Sequence, residues 1–230
     1  MDLYQTAEDM FRNIYNSRIH APPILDLATN FPNGEKFIKS WQPIRDEALK
    51  LAENLHLVPR FHEILPSQSS ISANDPHNWR LFVLKAYGFN MENNMAACPV
   101  LASTIAACPD VTSAAISFLD PGKHIPPHHG PFKGVLRFYL VLSMPKTAEG
   151  KPAAVLKIDG IEHALNDGEC LLWDDTFEHE AWNHSNEVRA VLLLDVWRRN
   201  MPLDMQILSK TIIGLAGLTA KIHGIPHLSK

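Results

Sequence analysis

Twelve histidines stand among the 230 residues, and the placement of four of them matters more than the total: His124, His128, His129 and His179 lie beside turns, at the ends of strand-patterned segments. Strand ends and the mouth of a small barrel let side chains from distant segments converge on one point, which is what a metal site requires. His128 and His179, fifty-one residues apart, offer two imidazoles. Spacing alone leaves two readings open, a metal site and a set of hydrogen-bonded histidines. A facial triad of two histidines and a carboxylate would normally show His-x-Asp or His-x-Glu, and here the residue two after His128 is Gly130. The three cysteines, Cys98, Cys108 and Cys170, are odd in number and lack Cys-x-x-Cys spacing. They argue against a thiolate zinc site and a disulfide framework, and a reducing, cytoplasmic setting fits them best.

The elements that would position these residues divide the chain. Glu35 to Leu55 places Phe37, Ile38, Trp41, Ile44, Leu49, Ala52 and Leu55 at helical spacing, with charges opposite. Pro43 interrupts that run, which predicts a short helix ending near Trp41 and a second one taking Pro43 in its first turn. Pro59 to Pro76 carries no period and reads as a long surface loop. Pro99 to Cys108 reads as a helix, started and ended by proline.

Short apolar runs then follow, first at 82–84 and 114–119. Val135–Ser143, Ala153–Ile158, Ile161–Leu165, Glu169–Trp173, Glu178–Asn183 and Val188–Trp197 come after them, separated by turn signals such as Asp159-Gly160. Strands at this spacing predict a sandwich or barrel rather than βαβ units. The expectation is a mostly β single domain with flanking helices. It comprises a helical and loop layer over 1–78, a jelly-roll core over 79–200 and a C-terminal helical tail over 201–230.

Composition narrows the function classes. Forty-six per cent hydrophobic and 20% charged residues describe a globular chain, and a net charge of −4 gives no positive field to hold a nucleic acid. The N-terminal Met1-Asp2-Leu3-Tyr4-Gln5 lacks the pattern of a signal peptide. The most apolar stretch, 211–220, is too short to span a bilayer. The tail, with Leu208, Ile212, Ile213, Leu215 and Leu218 beside Lys210, Lys221 and Lys230, could touch a membrane surface, or pack on the barrel or a partner subunit. Oligomeric state is left open.

Longer motifs add to this reading. Pro127-His128-His129-Gly130-Pro131, the Leu136-Arg137 strand, and Trp173-Asp174-Asp175-Thr176-Phe177-Glu178-His179-Glu180-Ala181-Trp182 followed by Arg189 and Asp195-Val196-Trp197 resemble the aspartyl/asparaginyl β-hydroxylase family. That family is a branch of the Fe(II)- and 2-oxoglutarate-dependent oxygenases. The resemblance runs through roughly Ser117 to Trp197, and Ile44-Arg45-Asp46-Glu47-Ala48-Leu49 resembles the family's helix ahead of the barrel.

The resemblance implies a double-stranded β-helix, a cupin-like jelly roll, in agreement with the strand spacing. It implies His128 and His179 as iron ligands and Arg189 as the anchor of the distal carboxylate of 2-oxoglutarate, with O2 as co-reactant and succinate and CO2 as coproducts. Arg137 and Ser117 match further cosubstrate-contacting positions, and Tyr139 stands where the animal peptide hydroxylases carry His. Strand parity allows Arg137 and Arg189 both to face inward. Asp174 or Asp175 would accept a hydrogen bond from an iron-bound water. Gly130 matches the peptide-hydroxylating branch, and a small residue there also resembles the halogenases of the wider superfamily, which seat a halide in the opened space. His124 belongs to an entry loop in this reading, and His129 faces away. Trp173, Trp182 and Trp197 read as barrel packing, and Trp79 and Lys85 as lying ahead of the barrel. The expected substrate is a peptide Asp or Asn, another amino-acid derivative or a lipid acyl chain. A non-catalytic, metal- or ligand-binding jelly roll is the alternative.

Overall fold

The computed structural model describes residues 13–223, with side chains through 218. Met1 to Gln5 and Lys230 lie outside those residues, as does the side chain of Lys221. A helix over 13–18 (α1) is followed by α2 (Leu27–Asn30), α3 (Gly34–Lys39) and α4 (Trp41–Ala52). Pro43 sits in the first turn of α4, where its missing N–H leaves no hydrogen bond unmade. One stripe of α4 is buried, at Ile44, Glu47 and Ala48.

The segment read as a loop over 59–76 is instead folded into two single helical turns, α5 (Phe61–Ile64) and α6 (Ser69–Ser72), joined by a 3-10 turn. Turns this short leave no apolar period to read. α7 (Glu92–Ala97) and α8 (Pro99–Ala106) interrupt the strands early. The Glu47 carboxylate accepts from the backbone N–H groups of Val100 (2.7 Å) and Leu101 (3.1 Å), capping α8 from a distant helix.

Among the described residues ten strands form two antiparallel sheets. The strands are β1 (Trp79–Ala86), β2 (Phe89–Asn90), β3 (Val111–Leu119), β4 (His124–His128), β5 (Val135–Ser143), β6 (Ala154–Ile158), β7 (Ile161–His163), β8 (Cys170–Trp173), β9 (His179–Asn183) and β10 (Arg189–Trp197). The larger sheet runs β2-β1-β3-β10-β5-β8 and the smaller β4-β9-β6-β7. This is the expected jelly roll with helices outside. The Asp159-Gly160 turn takes positive φ at both residues, as a tight hairpin between β6 and β7 requires.

Alternation along the larger sheet separates two cores. Phe138, Leu140, Leu192, Leu194, Ile116 and Phe118 face outward against Phe37, Ile44 and Ala48 of the helical layer. Tyr139, Val141, Trp173, Val191 and Leu119 face inward against Ile125, Leu156, Ile158 and Ala181 of the smaller sheet.

Two readings change. His124 begins a strand rather than an entry loop. Pro126 and Pro127 hid that strand, and they are tolerated because β4 is an edge of its sheet, where absent donors break no ladder. Trp79 and Lys85 lie within β1 of the barrel, not ahead of it.

α9 (Leu203–His223) closes the described chain. Its buried side, Met205, Ser209 and Ile213, meets the barrel, and Tyr15 of α1 shares a 2.8 Å hydrogen bond with Ser209. Its other side leaves Leu203 71%, Ile207 59% and Leu218 51% exposed. No helix among the described residues is long and apolar enough to cross a membrane.

Candidate active site

The ladder between β4 and β9 sets His128 directly opposite His179, with ring centroids 4.0 Å apart. The two imidazoles are held by the same local device. Nδ1 of His128 lies 2.8 Å from the carbonyl of Pro126, and Nδ1 of His179 lies 2.9 Å from the carbonyl of Phe177, each two residues back. A carbonyl only accepts, so each Nδ1 carries the proton and each Nε2 keeps its lone pair. Burial pushes His128 down to about 4 and His179 well below the ordinary histidine value. Both rings are therefore neutral near pH 7, as ligation demands. Among the described residues no cluster of three or more His, Cys, Asp or Glu side chains is gathered to hold a metal.

The space beside Gly130 is filled. A Cβ built there would stand closer than 3.0 Å to three atoms of the Asp175 carboxyl group. Gly130 also donates its N–H to the Asp175 carbonyl at 2.6 Å, so the two segments are stitched together. Glycine is required because any side chain at this position would collide with the carboxyl group of Asp175, on the turn before His179.

Asp175 is 2% exposed, and Arg137 contacts its Oδ2 at 3.0 Å. Its Oδ1 is buried without a partner. Burial raises the carboxyl to about 6, against the pull of Arg137. Arg137 also donates from Nε (3.1 Å) and Nη2 (2.9 Å) to Asp195, the residue opposite it on β10. Asp174, by contrast, points away from the pocket. Its carboxylate is fully buried against Arg198, the Thr176 hydroxyl (2.6 Å) and the Lys133 ammonium (3.8 Å). The two adjacent aspartates thus divide the work, Asp174 fixing the turn and Asp175 facing Gly130.

Further along the inner face lies a second group. Arg189 is 4% exposed, its Nη1 donates weakly to the Tyr139 hydroxyl at 3.3 Å, and its Nε is buried without a partner. Among the described residues no carboxylate forms an ion pair with it. A desolvated guanidinium in this state is costly unless a carboxylate or similar acceptor is supplied from outside. Ser117 stands opposite Val191, the next inward residue after Arg189, and accepts from the Trp79 indole N–H at 3.0 Å, so its own O–H remains available to donate.

The residues named from the sequence fall into two groups, drawn from both of the facing sheets and the turn before β9. His128, His179, Asp175 and Arg137 gather at one end, and Arg189, Tyr139 and Ser117 further along. His124 stacks on Trp182 outside the barrel at 5.0 Å and reaches Glu180, while His129 braces the turn through the Thr176 carbonyl at 3.0 Å. Sequence reading passed over Asp195, whose signal was its shared parity with Arg189. It also passed over Tyr87, whose φ of +47° marks a strained turn and whose phenol is pushed up by burial and then by the Asp195 carboxylate.

The model of the family described as aspartyl/asparaginyl beta-hydroxylase matches residues 38–199. The ornithine lipid ester-linked acyl 2-hydroxylase of Rhizobium tropici is 34% identical over 85% of this chain and 66% of its own length. The aspartyl/asparaginyl beta-hydroxylase of Homo sapiens is 28% identical over 71% of this chain and 22% of its own length. The human aspartate beta-hydroxylase domain-containing protein 2 is 29% identical over 60% of this chain and 38% of its length. The matches therefore span under two thirds of each of these relatives. A family match across most of the barrel, with the two facing imidazoles inside it, identifies this chain as a member of the aspartyl/asparaginyl β-hydroxylase family.

Proposed function

We propose that this chain is an Fe(II)- and 2-oxoglutarate-dependent hydroxylase acting on a C–H bond of a lipid acyl chain. One observation carries the reading: a pair of neutral imidazoles with free Nε2 lone pairs on the smaller sheet faces, on the larger sheet, Arg189, a buried guanidinium that lacks a carboxylate. Iron(II) held by His128 and His179, with 2-oxoglutarate, would supply the activation of O2, succinate and CO2 being the coproducts.

The remaining work belongs to the chain's own side chains. Arg189 forks onto the distal carboxylate of the oxo-acid, with Ser117 donating its hydroxyl proton and Tyr139 holding the guanidinium in place. The carbonyls of Pro126 and Phe177 fix the imidazole tautomers. Arg137 and Asp195 hold the Asp175 carboxylate against Gly130, and its unpartnered Oδ1 is placed to accept a hydrogen bond from a metal-bound water. The apolar inner wall excludes bulk water.

The acyl substrate is supported by the 34% identical relative, an ornithine lipid ester-linked acyl 2-hydroxylase, and by the apolar inner core beside the histidines, among them Leu81, Leu156 and Leu193. The outward residues Leu203, Ile207 and Leu218 of α9 suit contact with a membrane surface, where such a substrate would be met. The test incubates the iron-loaded protein, 2-oxoglutarate and O2 with an ester-linked acyl lipid, and reads the lipid by mass spectrometry and succinate by chromatography. Addition of one oxygen atom to the acyl chain, matched by succinate, is the expected result. Hydroxylation of an Asp- or Asn-containing peptide alone would shift the substrate to the peptide class, and neither product would favour a non-catalytic binding module.

A further inference from the structure

Six buried side-chain nitrogen or oxygen atoms lack a hydrogen-bond partner among the described residues. Three of them, Asp175 Oδ1, Arg189 Nε and Trp173 Nε1, belong to residues of the candidate site or packed against it. The first two have roles above, and Trp173 does not. It is 2% exposed on β8, directly opposite Arg137, and its ring meets that of His179 edge-to-face at 4.5 Å and 78°. An indole N–H only donates, and buried donors in folded proteins are nearly always paired. Trp79, by comparison, gives its N–H to Ser117. Packing alone would be served by any large apolar ring at position 173. A desolvated donor set against a metal-ligating imidazole implies an acceptor that arrives with a ligand.

Resting on the function proposed above, we propose that the Trp173 indole N–H donates a hydrogen bond to a carboxylate or keto oxygen of the oxo-acid bound at the His128–His179 centre. The oxo-acid is chosen over the substrate because Trp173 lies on the same sheet as Arg137, Tyr139 and Arg189 and its ring meets that of His179, so it stands between the histidines and the larger sheet that carries Arg189. Trp173 is then a binding residue, not only a packing one.

The test uses the full chain loaded with Zn(II), diamagnetic and redox-inert, and N-oxalylglycine as the oxo-acid analogue. The chain has five tryptophans, so ¹⁵N labelling gives at most five indole resonances. The Trp173 signal is assigned by its loss in Trp173→Phe or, should that variant not fold, by its contacts with the His179 ring in wild type. A downfield shift of this resonance on adding the analogue is expected. Trp173→Phe should weaken the analogue about 10- to 100-fold by calorimetry, as loss of a hydrogen bond to a charged group does, with Zn(II) affinity unchanged. Analogue binding that leaves the Trp173 resonance in place, or a shift seen only on adding an acyl lipid, overturns this inference and leaves the oxygenase reading intact. Failure of the analogue to bind at all overturns that reading, and this inference with it.

Discussion

The contact between Gly130 and Asp175 makes a quantitative prediction. Gly130→Ala places a Cβ closer than 3.0 Å to three atoms of a carboxyl group that is itself 2% exposed and bonded to Arg137. If the backbone yields, the cost is that of overpacking, about 1–3 kcal/mol. If Asp175 leaves Arg137 instead, a buried ion pair is broken, for which about 3–5 kcal/mol is usual. Asp195 still pairs with Arg137 at 2.9 Å and softens that loss. A net destabilisation of about 2–4 kcal/mol lies between the two limits. Asp175→Gly removes the obstacle, so the double variant should recover about 1–3 kcal/mol relative to additivity. Urea unfolding of the metal-free protein completes the cycle from four midpoints. A Gly130→Ala variant within about 0.5 kcal/mol of wild type, with additive effects, would refute the claim that Asp175 fills the space beside residue 130. The same geometry predicts that Gly130→Asp creates no third ligand unless Asp175 is cut back as well.

Three further outcomes follow from the site's energetics. Arg198→Met leaves Asp174 buried with only the more distant Lys133 as ionic partner, and should cost about 2–4 kcal/mol in the same unfolding assay; a loss below about 0.5 kcal/mol would mean that Asp174 does not anchor the turn. His128 and His179 have folded values below the ordinary 6.5, so the unfolded chain takes up protons first as the pH falls, and stability drops from about pH 6.5 downward at up to about 1.4 kcal/mol per unit for each. Asp175, raised to about 6, works the other way over its own range, so the metal-free protein should lose about 1.4 kcal/mol per unit net between pH 6 and 4, with the slope flattened in His179→Gln; a flat wild-type profile would contradict the burial of these rings. Arg189→Met should raise the 2-oxoglutarate requirement at least 100-fold, on the order of a lost bidentate charged contact, while metal affinity stays put; an unchanged requirement would place the anchor elsewhere.

Much of the architecture was legible because it rests on local chemistry. The period-2 runs became β5 to β10 to within a residue or two at most ends, and Pro43 marked the start of a helix. β4 was hidden because its two prolines read as loop, and only knowledge that it lies at a sheet edge makes them acceptable. The sequence singled out the two histidines and Arg189 from the motifs around His128 and His179, and the structure sets the two imidazoles opposite one another. Asp175's place beside Gly130 was not, since a residue that fills a distant glycine's space leaves no mark in spacing. Nor could sequence separate Asp174 from Asp175: their roles are assigned by Arg198 on one side of the turn and Gly130 on the other. Trp173 read as packing because nothing in a sequence shows that an indole N–H is left without an acceptor.

The central claim, a two-histidine iron site that chelates 2-oxoglutarate, is tested most directly by anaerobic titration of Fe(II) and 2-oxoglutarate into wild type and His179→Ala. A weak visible charge-transfer band that appears only when both are added, and only in wild type, is the predicted result. A band of equal strength in His179→Ala, or none in a folded, iron-bound wild type, would contradict it.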